Sequence, residues 1–411
     1  MVEQTLSVDT LNIRHLRAFC AVAQSGSISA AERMVFLSQP AITQAISKLE
    51  QRLGIKLFNR HHSGMFLTGQ GELMYRRVDR GLRLVDLGAQ AAIKRGKRRP
   101  GSFDHVEQLM TAVQMRALVA VARHGNFSVA AREVGTSQPS LHRAARELEK
   151  LVGVALFERV SNGIVLTRAA EILQRAIRLG YAEFDQGIDE ANAQKLGDIS
   201  RVSIGTMPLA QSFLLPTALL AFSRQRPDVK IRIVEGPYES LMHGLRHGEI
   251  DLVTGALRLN LDHDDVIQET LFADSLAVVC RIDHPLTGRD QVEVQDLVNY
   301  GWVVPVRGAP TRDYVEAMFA AHSLQLPAQL IETGSSTLIR GLLSDSNRLS
   351  IMSEHQINLE QQAGTLTRLA MSLPPTDRQI GLTMRRDWLP TANQSLLLQE
   401  LRRASADLPG I

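Results

Sequence analysis

SQPAITQAISKLEQRLGIKLFNR at residues 38–60 is spelled again, without a gap and 99 positions later, as SQPSLHRAARELEKLVGVALFER at residues 137–159. The likeness reaches beyond these stretches: 25 of the 65 positions in 14–78 are identical in 113–177, with no insertion. A repeat of that length is a folding unit rather than a motif. Each copy opens on an amphipathic helix, with Leu16, Phe19 and Val22 at helical spacing in the first and Met115, Leu118 and Val121 in the second. Gly26 and Gly125 end that helix, and Ser27 and Asn126 are placed to cap a short alanine-rich one. A second break follows at Ser38 and Ser137.

Ser38 and Ser137 stand where an N-cap belongs, and the next residues, Gln39-Pro40 and Gln138-Pro139, put proline in the first turn, where no helical N–H bond is lost. Ile42, Ile46, Leu49 and Leu53 form the apolar face of this third helix. Gln39, Thr43, Gln44, Ser47 and Lys48 form the opposite one. Two short helices followed by a longer one with a polar start make a helix-turn-helix, whose last helix enters a DNA major groove by its N-terminal end. Glutamine and threonine can bond base edges there, and a helix N-terminus favours phosphate. The stretches GIKLFNRHHSGMFLT and GVALFERVSNGIVLT alternate around a glycine turn as a β-hairpin does, which makes a wing. Arg60 and Arg159, just before each turn, can reach the phosphate backbone.

SGSISAAERMVFLSQPAITQAISKLEQRLGIKLFNR followed by LTGQGE resembles the DNA-binding domain of the LysR-type transcriptional regulators of bacteria. The family carries one such domain per chain, whereas this sequence carries two. Where the family usually shows Ser-Arg, copy one has Thr43-Gln44 and copy two has His142-Arg143, so the resemblance implies the mode of binding but not the operator's base sequence. The resemblance implies base contacts at residues 39, 43, 44 and at 138, 142, 143. The expected interface comprises Ser38, Gln39, Pro40, Thr43, Gln44, Lys48 and Arg60 in copy one, and Ser137, Gln138, Pro139, His142, Arg143, Arg146 and Arg159 in copy two. Copy two, with Arg168 besides, has the more basic face. Copy one could instead have become an interaction domain that keeps its core. His61 and His62, at a hairpin tip, read as phosphate neighbours or plain loop residues rather than metal ligands, since no carboxylate or cysteine set with metal-ligand spacing accompanies them.

A long helical pattern follows each wing, at about 70–94 (Leu73, Val78, Leu82, Val85, Leu87) and 168–195 (Ile172, Leu173, Ile177, Leu179). In the family this helix pairs with its counterpart in another subunit. Here the duplication allows the two helices of one chain to pair with each other. KRGKRRPG, residues 94–101, carries five cations and reads equally as a solvated linker or a phosphate contact.

From residue 200 the pattern changes to strands alternating with helices: RVSIGT, a helix at 214–226, VKIRIVEG, a helix around SLMHGLRHGE, IDLVTGAL, and then a second such unit from WVVPV to RLSIMSE. That order implies parallel sheets in two α/β subdomains around a hinged cleft. LLPTALLAFSRQRPDVKIRIVEG, LRHGEIDLV and HPL resemble the effector-binding domain of the same family, which has a periplasmic-binding-protein fold. By matching position, the ligand contacts fall on Thr206, Met207 and Pro208, on Gly255, Ala256 and Leu257, and on Ser335, Ser336 and Thr337. The last three would suit a carboxylate, phosphate or sugar hydroxyl, or would serve as helix caps alone. Arg312 could pair with an anionic ligand, or reads as an exposed, solvated residue at a helix start.

The domains expected are therefore winged helix-turn-helix copy one at 12–70, a linker helix and basic linker at 71–100, copy two at 111–168, a linker helix at 169–197 and an effector domain at 200–405. The fold class is α/β multidomain. Residues 1–199 hold 27 Lys+Arg against 19 Asp+Glu, net +8, and residues 200–411 hold 19 against 24, net −5, which places a polyanion partner at the front. Of the two cysteines, Cys20 and Cys280, each lies in an apolar run and reads as a buried small hydrophobe. No run approaches the roughly 20 apolar residues of a membrane span, and the first residues do not read as a secretory signal, so a cytoplasmic location is expected. The expected partners are double-stranded DNA, a small-molecule effector such as a carboxylate or sugar, and further copies of the chain, with no membrane, cofactor or metal. An enzyme or a solute-binding protein on the same α/β fold are the rival readings. The sequence has no glycine-rich phosphate loop and no nucleophile elbow to favour an enzyme.

Overall fold

The computed structural model describes residues 11–62, 64–96, 105–161, 163–196, 200–258, 261, 263–374 and 378–407, with only the backbone at 107 and 194–196. Most of the basic run at 94–101, the hairpin-turn residues 63 and 162, and the expected domain limits at 100 and 197 lie outside the described residues. Two compact units divide the chain near residue 203.

In the first unit, α1 (Ile13–Ser25), α2 (Ile28–Glu32) and α3 (Gln39–Leu53) precede a hairpin of β1 (Phe58–His61) and β2 (Gly64–Leu67) and a long helix α4 (Gly69–Arg95). A short helix, α5 (Val106–Leu109), had no clear signal in the sequence. The scheme then repeats in α6 (Ala112–His124), α7 (Phe127–Glu133), α8 (Gln138–Val152), β3 (Phe157–Val160), β4 (Gly163–Leu166) and α9 (Arg168–Leu196). Gly26 and Gly125 close α1 and α6 in the left-handed conformation, at φ 71° and 60°. The Ser27 hydroxyl accepts from Ala30 N–H, and the Asn126 carbonyl from Ser128 and Val129 N–H. Ser137 likewise accepts from Ser140 N–H, but Ser38 occupies the cap position without a side-chain bond.

Each wing is fixed to its own first helix through a glycine. Gly64 and Gly163 have φ of 142° and 139°, and a Cβ there would fall 2.7 and 2.8 Å from the carbonyl oxygens of Gly26 and Gly125. Met65 and Ile164 donate their N–H to those same carbonyls.

α4 and α9 pack antiparallel along their length within the one chain. Gly81 and Gly180, equivalent positions of the two copies, meet at the crossing: a Cβ on Gly81 would lie 2.8 Å from the Gly180 oxygen, and one on Gly180 2.9 Å from the Gly81 oxygen. Only glycine lets the backbones approach so closely. Val78, Leu82 and Val85 are buried in this seam with Leu173, Ile177 and Phe184, and one continuous core runs through both copies and both long helices. Leu87, expected on the apolar face, is 62% exposed: the 3.6-residue rotation carries it past the seam.

In the second unit β5 (Arg201–Thr206), α10 (Pro208–Ser212), α11 (Leu214–Gln225), β6 (Lys230–Glu235), α12 (Tyr238–Arg246), β7 (Leu252–Ala256), β8 (Val266–Asp274) and β9 (Leu276–Arg281) follow in turn. After them come α13 (Val294–Leu297), β10 (Trp302–Val304), α14 (Pro310–Ala321), β11 (Leu330–Glu332), α15 (Ser336–Ser344), β12 (Leu349–Ser353), α16 (Asn358–Gln362), β13 (Leu366–Arg368), β14 (Arg378–Arg385) and α17 (Ala392–Ala406). Two five-stranded sheets result, ordered β6-β5-β7-β14-β8 and β11-β10-β12-β9-β13. The expected parallel sheets are in fact mixed. β5 and β7 run parallel, as do β10 with β11 and β12, but β14 is antiparallel to β7 and β8, and β9 to β12 and β13. The sequence pattern caught the βαβ runs and missed the returning strands, whose partners lie far along the chain. The chain crosses between the sheets at the β8–β9 and β13–β14 connections, which gives two subdomains.

Candidate nucleic-acid interface and effector cleft

In copy one Ile42, Ile46, Leu49 and Leu53 are buried, while Ser38, Gln39, Pro40, Gln44 and Lys48 on α3 are exposed and Thr43 half-buried. The Thr43 hydroxyl donates back to the Gln39 carbonyl at 3.0 Å, and the Gln39 amide donates to Glu32 of α2 at 2.9 Å. A carboxylate therefore stands beside the start of this helix. In copy two Ser137, Gln138, Pro139 and Arg143 are exposed on α8, and the half-buried His142 ring sits edge-on to Phe127, centroids 4.9 Å apart. The carboxylate at the end of α7, Glu133, is held by Arg123 and His124. Burial alone would raise its pKa, but those hydrogen bonds outweigh it and hold the group below the ordinary range. Arg60 and Arg159 project from exposed positions of the wings.

Arg146 has a different place from the one the sequence suggested. Its guanidinium donates to both oxygens of Glu149 at 3.1 Å and lies over the Phe157 ring. Glu149 in turn accepts from the N–H groups of Leu156 and Phe157, so the glutamate of the Leu-Glu element pins the wing to the recognition helix. Glu50 does the same in copy one, accepting from Leu57 N–H at 2.9 Å, Phe58 N–H at 3.3 Å and Lys56 at 2.7 Å. Desolvation pushes the Glu50 carboxyl up, but these donors prevail and its pKa lies below the usual value. Sequence reasoning passed over both glutamates, although their recurrence at the same place in each copy was the available signal.

In the effector unit the strand ends converge as expected of ligand-binding α/β sheets. Thr206 ends β5 with its hydroxyl 3.2 Å from that of Thr254, Met207 donates its N–H to the Thr254 carbonyl, and Pro208 opens α10. Gly255 has φ 149°, with the Met207 side chain laid across the place a Cβ would occupy, and half-buried Ala256 and Leu257 follow. Ser335 caps α15, accepting from Leu338 N–H at 3.3 Å, while Ser336 is half-buried and Thr337 exposed on its first turn. One turn on, Arg340 lies 3.5 Å from the hydroxyl of Ser212, the last residue of α10, and donates to the Gln356 carbonyl at 2.8 Å. Arg312 is buried, not exposed: it pairs with Glu316 at 2.6 Å and Glu332 at 3.3 Å and serves the fold of its subdomain. At the crossing between the sheets the buried Asp274 accepts from the Ser353 hydroxyl and lies 3.4 Å from Arg378. Cys20 and Cys280 are both buried and unbridged, and burial lifts the Cys280 thiol to about 12. Among the described residues no helix is long and apolar enough to cross a membrane, and no cluster of three or more His, Cys, Asp or Glu could hold a metal ion.

The family model of the bacterial regulatory helix-turn-helix protein, lysR family, matches twice, at residues 13–72 and 113–171, and that of the LysR substrate binding domain matches at 197–406. The HTH-type transcriptional regulator GalR of Pseudomonas putida is 33% identical over 398 residues, which cover 97% of this chain and 98% of that protein. The HTH-type transcriptional regulator PcaQ of Agrobacterium fabrum is 28% identical over 303 residues, 74% of this chain and 97% of its own. A full-length OxyR from Pseudomonas aeruginosa, solved as a variant with one cysteine replaced by aspartate, shares the fold over 72% of this chain and 94% of its own, at 21% identity and a TM-score of 0.50. Two matched helix-turn-helix segments, a matched substrate-binding segment and a relative alike over nearly its whole length place this chain in the LysR family of ligand-responsive transcriptional regulators.

Proposed function

We propose that both helix-turn-helix copies of this bacterial regulator read duplex DNA, acting in the cytoplasm as two unlike readers carried by one chain. Gln39, Thr43 and Gln44 would face bases in one half-site, and Gln138, His142 and Arg143 in the other. Ser38, Pro40, Lys48, Arg60, Ser137, Pro139 and Arg159 would set position on the backbone. The supporting observation is the antiparallel α4–α9 pair, which carries an exposed reader at each end. α4 has 27 residues, so at 1.5 Å per residue the starts of the two long helices are roughly 40 Å apart. That exceeds the roughly 34–36 Å of one double-helical turn, so the half-sites should lie at least a turn apart. Arg146, engaged by Glu149, is left out of the contact set.

The effector is a small molecule, a carboxylate or sugar, bound where α10 and α15 begin. Thr206, Met207, Pro208, Gly255, Ala256, Leu257, Ser336 and Thr337 are its lining, and Ser335 acts first as a cap. Its binding would bias the hinge between the two subdomains and, through homo-oligomer contacts, the placement of readers. A second reading, in which copy one is an interaction domain, is favoured by Glu32, whose carboxylate beside Gln39 would repel phosphate.

Sequencing the DNA fragments retained by purified wild type, Gln39→Ala/Gln44→Ala and Gln138→Ala/Arg143→Ala tests this directly. Each variant should lose a different half of the enriched sequence. Unchanged enrichment for the first variant would make copy one an interaction domain, and no enrichment for wild type would refute both readings.

A further inference from the structure

The α4–α9 pair is nearly symmetric in shape and strongly asymmetric in charge. Gly81 faces Gly180, its own equivalent; Gly88 faces Ala176, where a Cβ would come within 2.0 Å of the alanine Cβ; and Gly187, the equivalent of Gly88, faces Arg77, the equivalent of Ala176. The two ends of the seam are thus the same site filled differently. At one end Arg77 is fully buried, donating to Glu190 at 2.9 and 2.8 Å, to Glu183 at 3.1 Å and to Gln186 at 3.1 Å. Arg80 adds a second bond to Glu183 at 2.8 Å. At the other end the corresponding positions are Ala176 on α9 and Leu84, Leu87 and Ala91 on α4, none of them charged.

We infer that Arg77 with Glu183, Gln186 and Glu190 is a pairing code that joins α4 to α9 and rejects α4–α4 and α9–α9 pairs between copies of the chain. In an α4–α4 pair with this geometry, two Arg77 side chains would meet Leu84, Leu87 and Ala91 and find no acceptor. In an α9–α9 pair two sets of Glu183 and Glu190 would crowd Ala176 with no cation. Both alternatives desolvate charge without compensation, whereas the mixed pair satisfies every member. Shape alone does not discriminate, because the glycines that permit close approach recur at equivalent positions in both helices. The consequence rests on the proposed DNA-reading role: the two readers on one seam are always one of each kind, so the operator is asymmetric.

Exchanging the two residues of the code tests it without DNA, so its failure is distinct from failure of the DNA-reading proposal. Arg77→Ala/Ala176→Arg moves the cation onto the helix that already bears the carboxylates. An α9–α9 pair between chains then becomes satisfied at both ends and an α4–α4 pair no longer buries Arg77, leaving only the partly exposed Arg80 without its Glu183, while the mixed pair becomes mismatched at both ends. A nitroxide is placed on Gln90→Cys, an exposed site of α4, in full-length protein carrying Cys20→Ala and Cys280→Ala. An α4–α4 pair would hold two labels nine residues beyond the crossing on antiparallel helices, on the order of 25–30 Å apart. Pulsed dipolar spectroscopy should find no such population in the parent and a dominant one in the exchanged variant. That distance in the parent, or its absence in a folded exchanged variant, overturns the inference. Independently, Arg77→Ala alone should lower the thermal midpoint by at least about 6 °C, as expected when buried carboxylates lose their partner, and an unchanged midpoint also overturns it.

Discussion

Replacing Gly81 by valine tests whether the close approach of α4 and α9 holds the first unit together. A Cβ at this position would stand 2.4 Å from Phe184 Cε1 and 2.8 Å from the Gly180 carbonyl oxygen, where carbon atoms normally settle at about 3.5–4.0 Å. Phe184 is 1% exposed and has nowhere to swing, and the carbonyl belongs to helix backbone. The helices must separate or bend. Overpacking of this kind costs about 1–3 kcal/mol, against which the better helix propensity of valine over glycine returns at most about 0.5 kcal/mol. For a unit of some 200 residues the net loss lowers the thermal midpoint by roughly 1–10 °C. Differential scanning calorimetry measures it, with Gly69→Ala as control, since a Cβ there meets nothing within 4 Å. Operator affinity should fall as well, toward that of independent readers, with up to about 10²–10⁴ of linkage at stake. A Gly81→Val protein as stable as the parent would refute the description of the seam.

Further outcomes follow from the same geometry. The folded pKa of Glu50 is depressed, so its stabilisation is complete above the ordinary carboxylate range and is lost as pH falls through the folded value. Thermal melts of wild type and Glu50→Gln between pH 7 and pH 3 should converge at the acid end, and parallel curves would refute the pin. Arg159→Ala should weaken DNA binding about equally for all sequences and reduce the slope of log affinity against log salt by about 1; a change in preferred sequence instead would make Arg159 a base reader. Ser335→Ala should cost about 1 kcal/mol of stability with or without effector, through loss of its cap, whereas Thr337→Ala should leave the melt unchanged and lower effector affinity in calorimetric titration.

What could be read from the sequence is what is local. The 99-residue repeat, the glycine stops at 26 and 125, the buried face of α3 and the extents of α4 and α9 all follow from periodicity and capping. Ser38 kept its cap position but not its bond, because the cap position is set by backbone and the hydrogen bond by a rotamer. Arg77 was invisible for a different reason. Helical periodicity assigns arginine to the solvent face, and only partners 106 to 113 positions away turn it inward. Gly81, Gly88, Gly180 and Gly187, unfavourable inside long helices and spaced by the repeat, were the signal that a backbone passes close by. By the same periodicity Arg312 reads as exposed, whereas Glu316 and Glu332 hold it inside. In the effector unit β14 joins β7 and β8 from over a hundred residues downstream, which no local pattern specifies.

Hydroxyl-radical footprinting of one enriched operator measures most directly whether one chain presents two unlike readers to DNA. The wild-type protein should protect two segments at least one helical turn apart, with Gln39→Ala/Gln44→Ala erasing one and Gln138→Ala/Arg143→Ala the other. Loss of the same segment in both variants, or a single protected segment in wild type, would contradict the account.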